Sequence, residues 1–278
     1  MTAELAKTFK DLHKPGSPLI LANVWDVAST KALLSLNDNG SQPVKAVATA
    51  SFAVAATLGL KDEELTPQQN VDAIRPISDV CAAAKIPLTV DLQDGYGELI
   101  PFFVTMSVAL GAVGANIEDV RSTHNQPPGS VPDSLYPIEE QAERIKKARE
   151  AVASMCPDFV INARCDVFRP GVVGAPDTDE LRMKEAIARG RAYLEAGATT
   201  VFYWGSTRGL RTEEVETLVK ELDGRVAVKL ASGPDALTTK ELADIGVARI
   251  SVGPSIFRIA MDAAKKAAMN LFEGRGLP

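Results

Sequence analysis

PLTVDLQDGYG, residues 87–97, decides how the rest of the chain is read. Its first half is a short apolar run with little alternation, the pattern of a parallel strand buried on both faces. Its second half switches to carboxylates, an amide and glycines. The same change recurs along the chain. Short β-branched runs bounded by turn residues occupy 19–24, 44–51, 87–92, 112–118, 159–165, 200–204, 225–230 and 249–253. Helical patterns lie between and after them at 29–36, 66–84, 101–110, 138–155, 178–195, 212–222, 238–244 and 254–272. Thr66-Pro67 and Gly253-Pro254 read as N-caps followed by a first-turn proline, while Gly197 and Gly246 stand where helices should stop. Eight strands alternating with eight helices predict a (β/α)8 TIM-type barrel. A doubly wound sheet would use fewer strands, and no GxGxxG follows the first one.

Composition sets the outer bounds. The 278 residues are 46% hydrophobic and 24% charged, which suits a globular chain, and a barrel of about 250 residues accounts for the length as a single domain over 1–278. Lys plus Arg number 30 against 36 Asp plus Glu, a net charge of −6 with no basic block, so nucleic-acid binding is not expected. The longest apolar stretch, 101–117, is broken by Gly111, Gly114 and Asn116 and falls short of the roughly 20 residues of a membrane helix. The first 11 residues carry Glu4, Lys7 and Lys10 and no apolar core of a signal peptide, so a cytoplasmic location is expected. Cys81, Cys156 and Cys165 show no metal-binding or redox spacing and are expected to be reduced packing residues.

In a barrel the chemistry belongs at the C-terminal ends of the strands. Those ends read Asn23 to Asp26, Thr49 to Phe52, Asp91 to Gly97, Asn116 to Asp119, Arg164 to Asp166, Tyr203-Trp204 and Lys229 to Ser232. Strand alternation puts Asp91 with Gln93 and Asn116 with Glu118, so Asp91 and Glu118 are expected to converge at the mouth. Two carboxylates within about 4 Å repel by roughly 4 kcal/mol at an effective dielectric of about 20, which calls for a proton or a cation. With oxygen ligands and no nearby His or Cys, Mg²⁺ or Mn²⁺ suits the site. The alternative is a structural ion-pair network with Arg164. Arg164 is read as an anion clamp, because its planar fork holds a carboxylate at two points, with a structural pairing to Asp166 or Glu118 as the competing role. Gly95-Tyr96-Gly97 lets backbone approach a ligand. The loop at about 120–135, rich in proline and glycine, suggests a lid carrying His124, Asn125 and Gln126.

These blocks together resemble the isocitrate lyase and phosphoenolpyruvate mutase superfamily. The resemblance rests on Asn23-Val24-Trp25-Asp26, Leu58-Gly59-Leu60-Lys61-Asp62, Val90 to Gly97, Asn116-Ile117-Glu118-Asp119, Asn162-Ala163-Arg164-Cys165-Asp166 and Ala192 to Ala198, nearly the whole chain in order. It implies a Mg²⁺ ligated by Asp91, with Asp62, Gln93 and Glu118 holding its waters. It implies a small 2-oxo or 2-hydroxy carboxylate clamped by Arg164, in a pocket lined by Trp25, Ser51, Phe52, Gly95 and Tyr203. An enolate-like intermediate would be stabilised by metal and arginine. It further implies an eighth helix, 254–272, exchanged between subunits of a homodimer or homotetramer.

The departures narrow the reaction. The Lys-Lys-Cys-Gly-His lid motif of isocitrate and methylisocitrate lyases is missing from 121–135, and a histidine that the mutase uses after the sixth strand is replaced in Tyr203-Trp204. Gln93 stands for an acidic residue, with Asp94 as a possible substitute that alternation directs away. The expected activity is a Mg²⁺-dependent lyase or decarboxylase cleaving a C–C bond, with Tyr96, His124, Asn125 and Tyr203 as candidate proton carriers. Three alternatives stay open: C–P bond chemistry on phosphonopyruvate, a Schiff base on Lys229, and a binding protein without catalysis.

Overall fold

The structure, a computed structural model, describes residues 2–121, 134–234 and 236–277. The strands are β1 (Leu19–Leu21), β2 (Asn23–Val24), β3 (Val47–Thr49), β4 (Leu88–Asp91), β5 (Gly114–Glu118), β6 (Val160–Cys165), β7 (Thr200–Tyr203), β8 (Val226–Lys229) and β9 (Arg249–Ser251). All pairings in the sheet are parallel, and the order runs β1-β9-β8-β7-β6-β5-β4-β3-β2. Residues 19–24, expected as one strand, are therefore two. β1 pairs with β9, β2 pairs with β3, and only Ala22 lies between. That one segment joins the two edges into a TIM-type barrel, as expected from the eightfold alternation. Asn23 fastens the seam: its Nδ2 donates to Thr49 O at 2.8 Å, and its Oδ1 accepts from the Val252 and Gly253 amides at 3.2 and 2.9 Å.

The helices are α1 (Thr2–Asp11), α2 (Val27–Leu34), α3 (Ser51–Thr57), α4 (Pro67–Ala84), α5 (Ile100–Ala109), α6 (Ile138–Val152), α7 (Asp179–Glu195), α8 (Thr212–Glu221), α9 (Thr239–Ile245) and α10 (Ser255–Phe272). Their ends follow local chemistry. Thr66 caps α4 with Pro67 in its first turn, Thr238 caps α9, and Asp26 caps α2, each side-chain cap contributing about 1 kcal/mol. Gly246 closes α9 in the left-handed conformation at φ 111°. α1 and α3 were not expected. The α1 residues Ala6 and Phe9 are buried, and a Cβ built on Gly114 would meet Phe9 Cε1 at 2.8 Å, so Phe9 floors the barrel beneath β5.

The apolar core is a ring between strands and helices, with Ile117, Ile161, Val201 and Ile250 among its fully buried members. The inner faces of the strands are polar: Thr89, Asn162, Thr200, Arg249 and Ser251 are buried, and Asn116 is half-buried. Every helix but α10 buries side chains against this ring; α10 buries none, and Ile259, Met261, Leu271 and Phe272 are exposed along it. Among the described residues no helix is long and apolar enough to cross a membrane. The three cysteines are free and buried.

Candidate active site

The barrel mouth opens into a cavity of about 430 Å³ lined by Ser51, Phe52, Asp62, Asp91, Arg164 and Lys229 among others. Asp91, the last residue of β4, is fixed by donors from three directions. Ser51 N and Oγ donate to its Oδ2 at 3.2 and 3.1 Å, while Gln93 N and Asn116 Nδ2 donate to its Oδ1 at 3.3 and 3.4 Å. Asn116 is itself held by a relay across neighbouring strands, in which Thr200 Oγ1 donates to Asn162 Oδ1 at 2.7 Å and Asn162 Nδ2 to Asn116 Oδ1 at 2.8 Å. Strand register explains this order. Asp91 lies opposite Asn116, and Glu118 lies opposite Arg164. The cross-strand neighbour of Asp91 is thus the amide of Asn116, and Glu118 sits one pleat further along.

Arg164 makes both pairings that compete with an anion clamp: Nη1 meets Glu118 at 2.7 Å and Nε meets Asp166 at 2.8 Å. Its guanidinium also lies over the Trp204 ring at 4.9 Å and still lines the cavity. Burial works against its charge, but Asp166 and Glu118 outweigh that and raise its pKa. Burial also pushes the Glu118 carboxyl well above its usual range, with Arg164 the leading opposing influence. Asp62 is raised by burial and then by the charge of Asp91, and Gln93 Nε2 donates to its Oδ1 at 3.1 Å. Gln93 is not on the strand; its φ of 54° is left-handed, and it reaches Asp62 by turning after β4.

Several expected site residues lie elsewhere. Tyr203 is fully buried on the outer face of β7, its hydroxyl donating to Ala186 O at 2.8 Å; its strand neighbours Phe202 and Trp204 face the cavity instead. Tyr96 is buried beside Phe103, its hydroxyl accepts from Asn70 Nδ2 at 2.6 Å, and burial pushes its pKa up, so it does not line the cavity. Gly95 answers to packing: φ is 82°, and a Cβ there would lie 2.7 Å from Ile100 Cγ1. Trp25 packs edge-on to Phe257 at 5.2 Å, beside Val54 and Leu65, away from the cavity lining. Asp94 accepts from Tyr136 Oη at 2.9 Å and lies 3.9 Å from Arg144, so it does not replace the acid absent at Gln93. Ser51 and Phe52 line the cavity from the first turn of α3, not from a strand, since β3 ends at Thr49. His124, Asn125 and Gln126 lie outside the described residues; the ends of their loop are tied by the Val120–Leu135 bridge and by Arg121 N donating to Ser134 O at 2.9 Å.

Lys229, Arg249 and Arg258 also line the cavity. Strand position pointed to Lys229; the other two were missed. Arg249 was signalled by a charged residue in the mostly apolar run 247–252, and Arg258 by its place in the first turn after the last strand.

The family model described as phosphoenolpyruvate phosphomutase matches residues 9–272. The chain belongs to that family. Within it, an uncharacterized protein of Mycobacterium tuberculosis is 28% identical over 98% of this chain and 91% of its own. The 2-methylisocitrate lyase of Vibrio cholerae is 28% identical over 78% of this chain and 68% of its own. A crystal structure from Burkholderia cenocepacia, provisionally assigned as a phosphonomutase, superimposes with a TM-score of 0.80 at 33% identity, covering 99% of this chain and all of that one. Relatives of this chain carry the names of a lyase, a phosphomutase, a hydrolase and a decarboxylase, and this chain is an enzyme of the isocitrate lyase and phosphoenolpyruvate mutase superfamily.

Proposed function

We propose that the chain is a Mg²⁺-dependent lyase or decarboxylase, with Mn²⁺ as a substitute, that cleaves a C–C bond of a small 2-oxo or 2-hydroxy mono- or dicarboxylate through an enolate-like intermediate. The observation that carries this is one cavity onto which Asp62, Asp91 and Arg164 all open. The donor set fits a hard cation. Burial and then the charge of Asp91 raise the pKa of Asp62, and among the described residues neither Asp62 nor Asp91 has the ion-pair partner that Arg164 gives Glu118, so a cation between them is favourable. Among the described residues no three His, Cys, Asp or Glu side chains form a cage. A Mg²⁺ held directly by Asp91, with Asp62, Gln93 and Glu118 reaching its waters, requires no such cage. When bound, that ion supplies Lewis acidity toward the substrate's oxygens.

The protein's own groups supply orientation. Arg164, locked by Asp166 and Glu118, presents its guanidinium without rotamer freedom, so a carboxylate docking on it loses little further entropy. Ser51 and the Asn116 relay hold the Asp91 carboxylate in one pose. Phe202 and Trp204 make the cavity wall apolar beside Arg164 and keep water from the charge that develops there. The decisive experiment compares oxaloacetate and substituted malates with phosphonopyruvate, reading pyruvate, CO₂ and phosphate, with Mg²⁺ and with EDTA. Asp91→Asn is expected to lose Mg²⁺ binding by calorimetry and at least 100-fold in turnover while its urea midpoint holds; retained Mg²⁺ uptake and turnover defeat the proposal. Phosphate release from phosphonopyruvate alone selects C–P chemistry, and absence of all binding selects a non-catalytic role.

One observation favours a second reading. Lys229 lines the cavity, and among the described residues it makes no ion pair. Burial, then Arg258 and Arg164, lower its pKa, which favours the free amine a carbonyl needs. Borohydride trapping with substrate labels Lys229 under this reading; complete EDTA inhibition with no label removes it.

A further inference from the structure

The floor of the cavity carries a cation that the proposed chemistry does not use. Arg249, the first residue of β9, is 2% exposed, lines the cavity, and leaves both Nε and Nη1 without a hydrogen-bond partner. Thr89 Oγ1, on the same lining, is also buried and unpartnered. The space around them comes from small side chains, since Ala48 also lines the cavity and Gly114 stands beside Thr89 Oγ1, 3.1 Å from where a Cβ would lie. Below, Phe9 closes the barrel, and the charge of Arg249 is felt by His13, two residues past the end of α1. Above, Asp91 is the acidic group whose charge acts on Arg249. Burial lowers the Arg249 pKa to about 9, which still leaves the guanidinium charged near neutrality. A buried cation without an ion pair or hydrogen bonds at two of its nitrogens is costly, and an oxyanion against Nε and Nη1 removes that cost.

We propose that Arg249, with the Thr89 hydroxyl, forms an oxyanion seat at the floor of the barrel cavity, beneath Asp91, that receives a carboxylate. The carboxylate is either the far end of a dicarboxylate whose near end docks at Arg164, or a separate small anion. In the first case the seat is a specificity determinant that selects dianionic over monoanionic acids. Only the identity of the ligand rests on the function proposed above; the seat itself needs no metal.

The test uses the full chain in EDTA, with Arg249→Met and Arg249→Lys. Met nearly matches the volume and removes a buried unpaired charge, so the ligand-free melting temperature of Arg249→Met is expected to equal or exceed that of the wild type. Calorimetry with succinate and butyrate is expected to show at least a tenfold preference for succinate in the wild type, falling to about one in Arg249→Met and partly restored in Arg249→Lys. Formate serves as the second arm. If formate stabilises the wild type but not Arg249→Met, and binds together with butyrate, the seat takes a separate anion. The proposal is overturned if neither succinate preference nor formate stabilisation depends on Arg249, or if Arg249→Met melts several degrees lower with no anion present, which marks a structural role. Failure of the metal-dependent reaction, with the Arg249 dependence intact, leaves the seat standing.

Discussion

Removing the cation of Arg164 should expose how the acidic rim is held together, and Arg164→Met does so with little change in volume. The guanidinium pairs with Glu118 at 2.7 Å and Asp166 at 2.8 Å; Asp166 is fully buried, and Glu118 and Arg164 are each 17% exposed. Breaking a buried pair by deleting one partner costs about 3–5 kcal/mol, and partial exposure of Glu118 puts the expected loss near about 3 kcal/mol. That is a large part of the roughly 5–15 kcal/mol that separates native from unfolded chains. The loss must depend on pH with a definite sign. Without Arg164, the native carboxyl of Glu118 loses the leading influence that lowers its pKa, so it titrates further above the unfolded value of about 4. Above that value the native state then binds more protons than the unfolded one, and stability falls as pH rises through the raised pKa. Urea unfolding of wild type and variant at pH 8 and pH 5.5 checks this: the deficit should be greatest at pH 8 and shrink at pH 5.5. An equal deficit at both values, or one under about 1 kcal/mol at pH 8, refutes the reasoning.

Burial, and then Arg249, hold His13 down at about 3, so its folded pKa lies below the unfolded value of about 6.5. Its contribution is present above pH 6.5 and is lost as pH falls toward 3. Thermal melts of His13→Gln should therefore fall less steeply than wild type across that window, and parallel slopes exclude the assignment. Gly95→Ala forces φ 82° on alanine and a clash with Ile100, costing about 1–3 kcal/mol by urea titration. Ile100→Val in the same chain should recover part of it; a neutral Gly95→Ala removes the packing role. The exposed apolar side of α10, with Ile259 68% and Phe272 91% exposed, suits cover by a second copy. Sedimentation should show a dimer or tetramer that Ile259→Glu with Phe272→Glu dissociates, and a monomeric wild type denies the exchange.

The barrel was readable because parallel strands buried on both sides leave uninterrupted apolar runs, and glycines and capping threonines mark where each helix begins or ends. What escaped has specific causes. The sequence of α3, SFAVAAT, is apolar on all sides and continues the run of β3, so it has no amphipathic stripe to separate helix from strand. α1 does carry a stripe through Leu5, Ala6 and Phe9, but it precedes the first strand, where the alternation of strands and helices places no helix. The break at Ala22 is a consequence of closure, since 19–21 follows one edge strand and 23–24 the other, and no local signal in the sequence encodes it.

For the site, the strand ends identified the region, but which residues face inward had to be worked out strand by strand. Tyr203 was misplaced for want of one register pair. Arg164 lies opposite Phe202, so Phe202 and Trp204 share the inner face with Arg164, and Tyr203 must point outward into the ring of core residues. Carrying the same parity from Asp91 to Asn116, from Glu118 to Arg164, and from Lys229 to Ser251 assigns a polar or small inner face to strand after strand. Such a face is expensive unless its groups satisfy one another. The relay from Thr200 through Asn162 and Asn116 to Asp91 does this on one side of the barrel. Arg249 and Thr89 have no equivalent relay, and that asymmetry within a single lining separates a scaffold that positions Asp91 from the floor proposed to receive an anion.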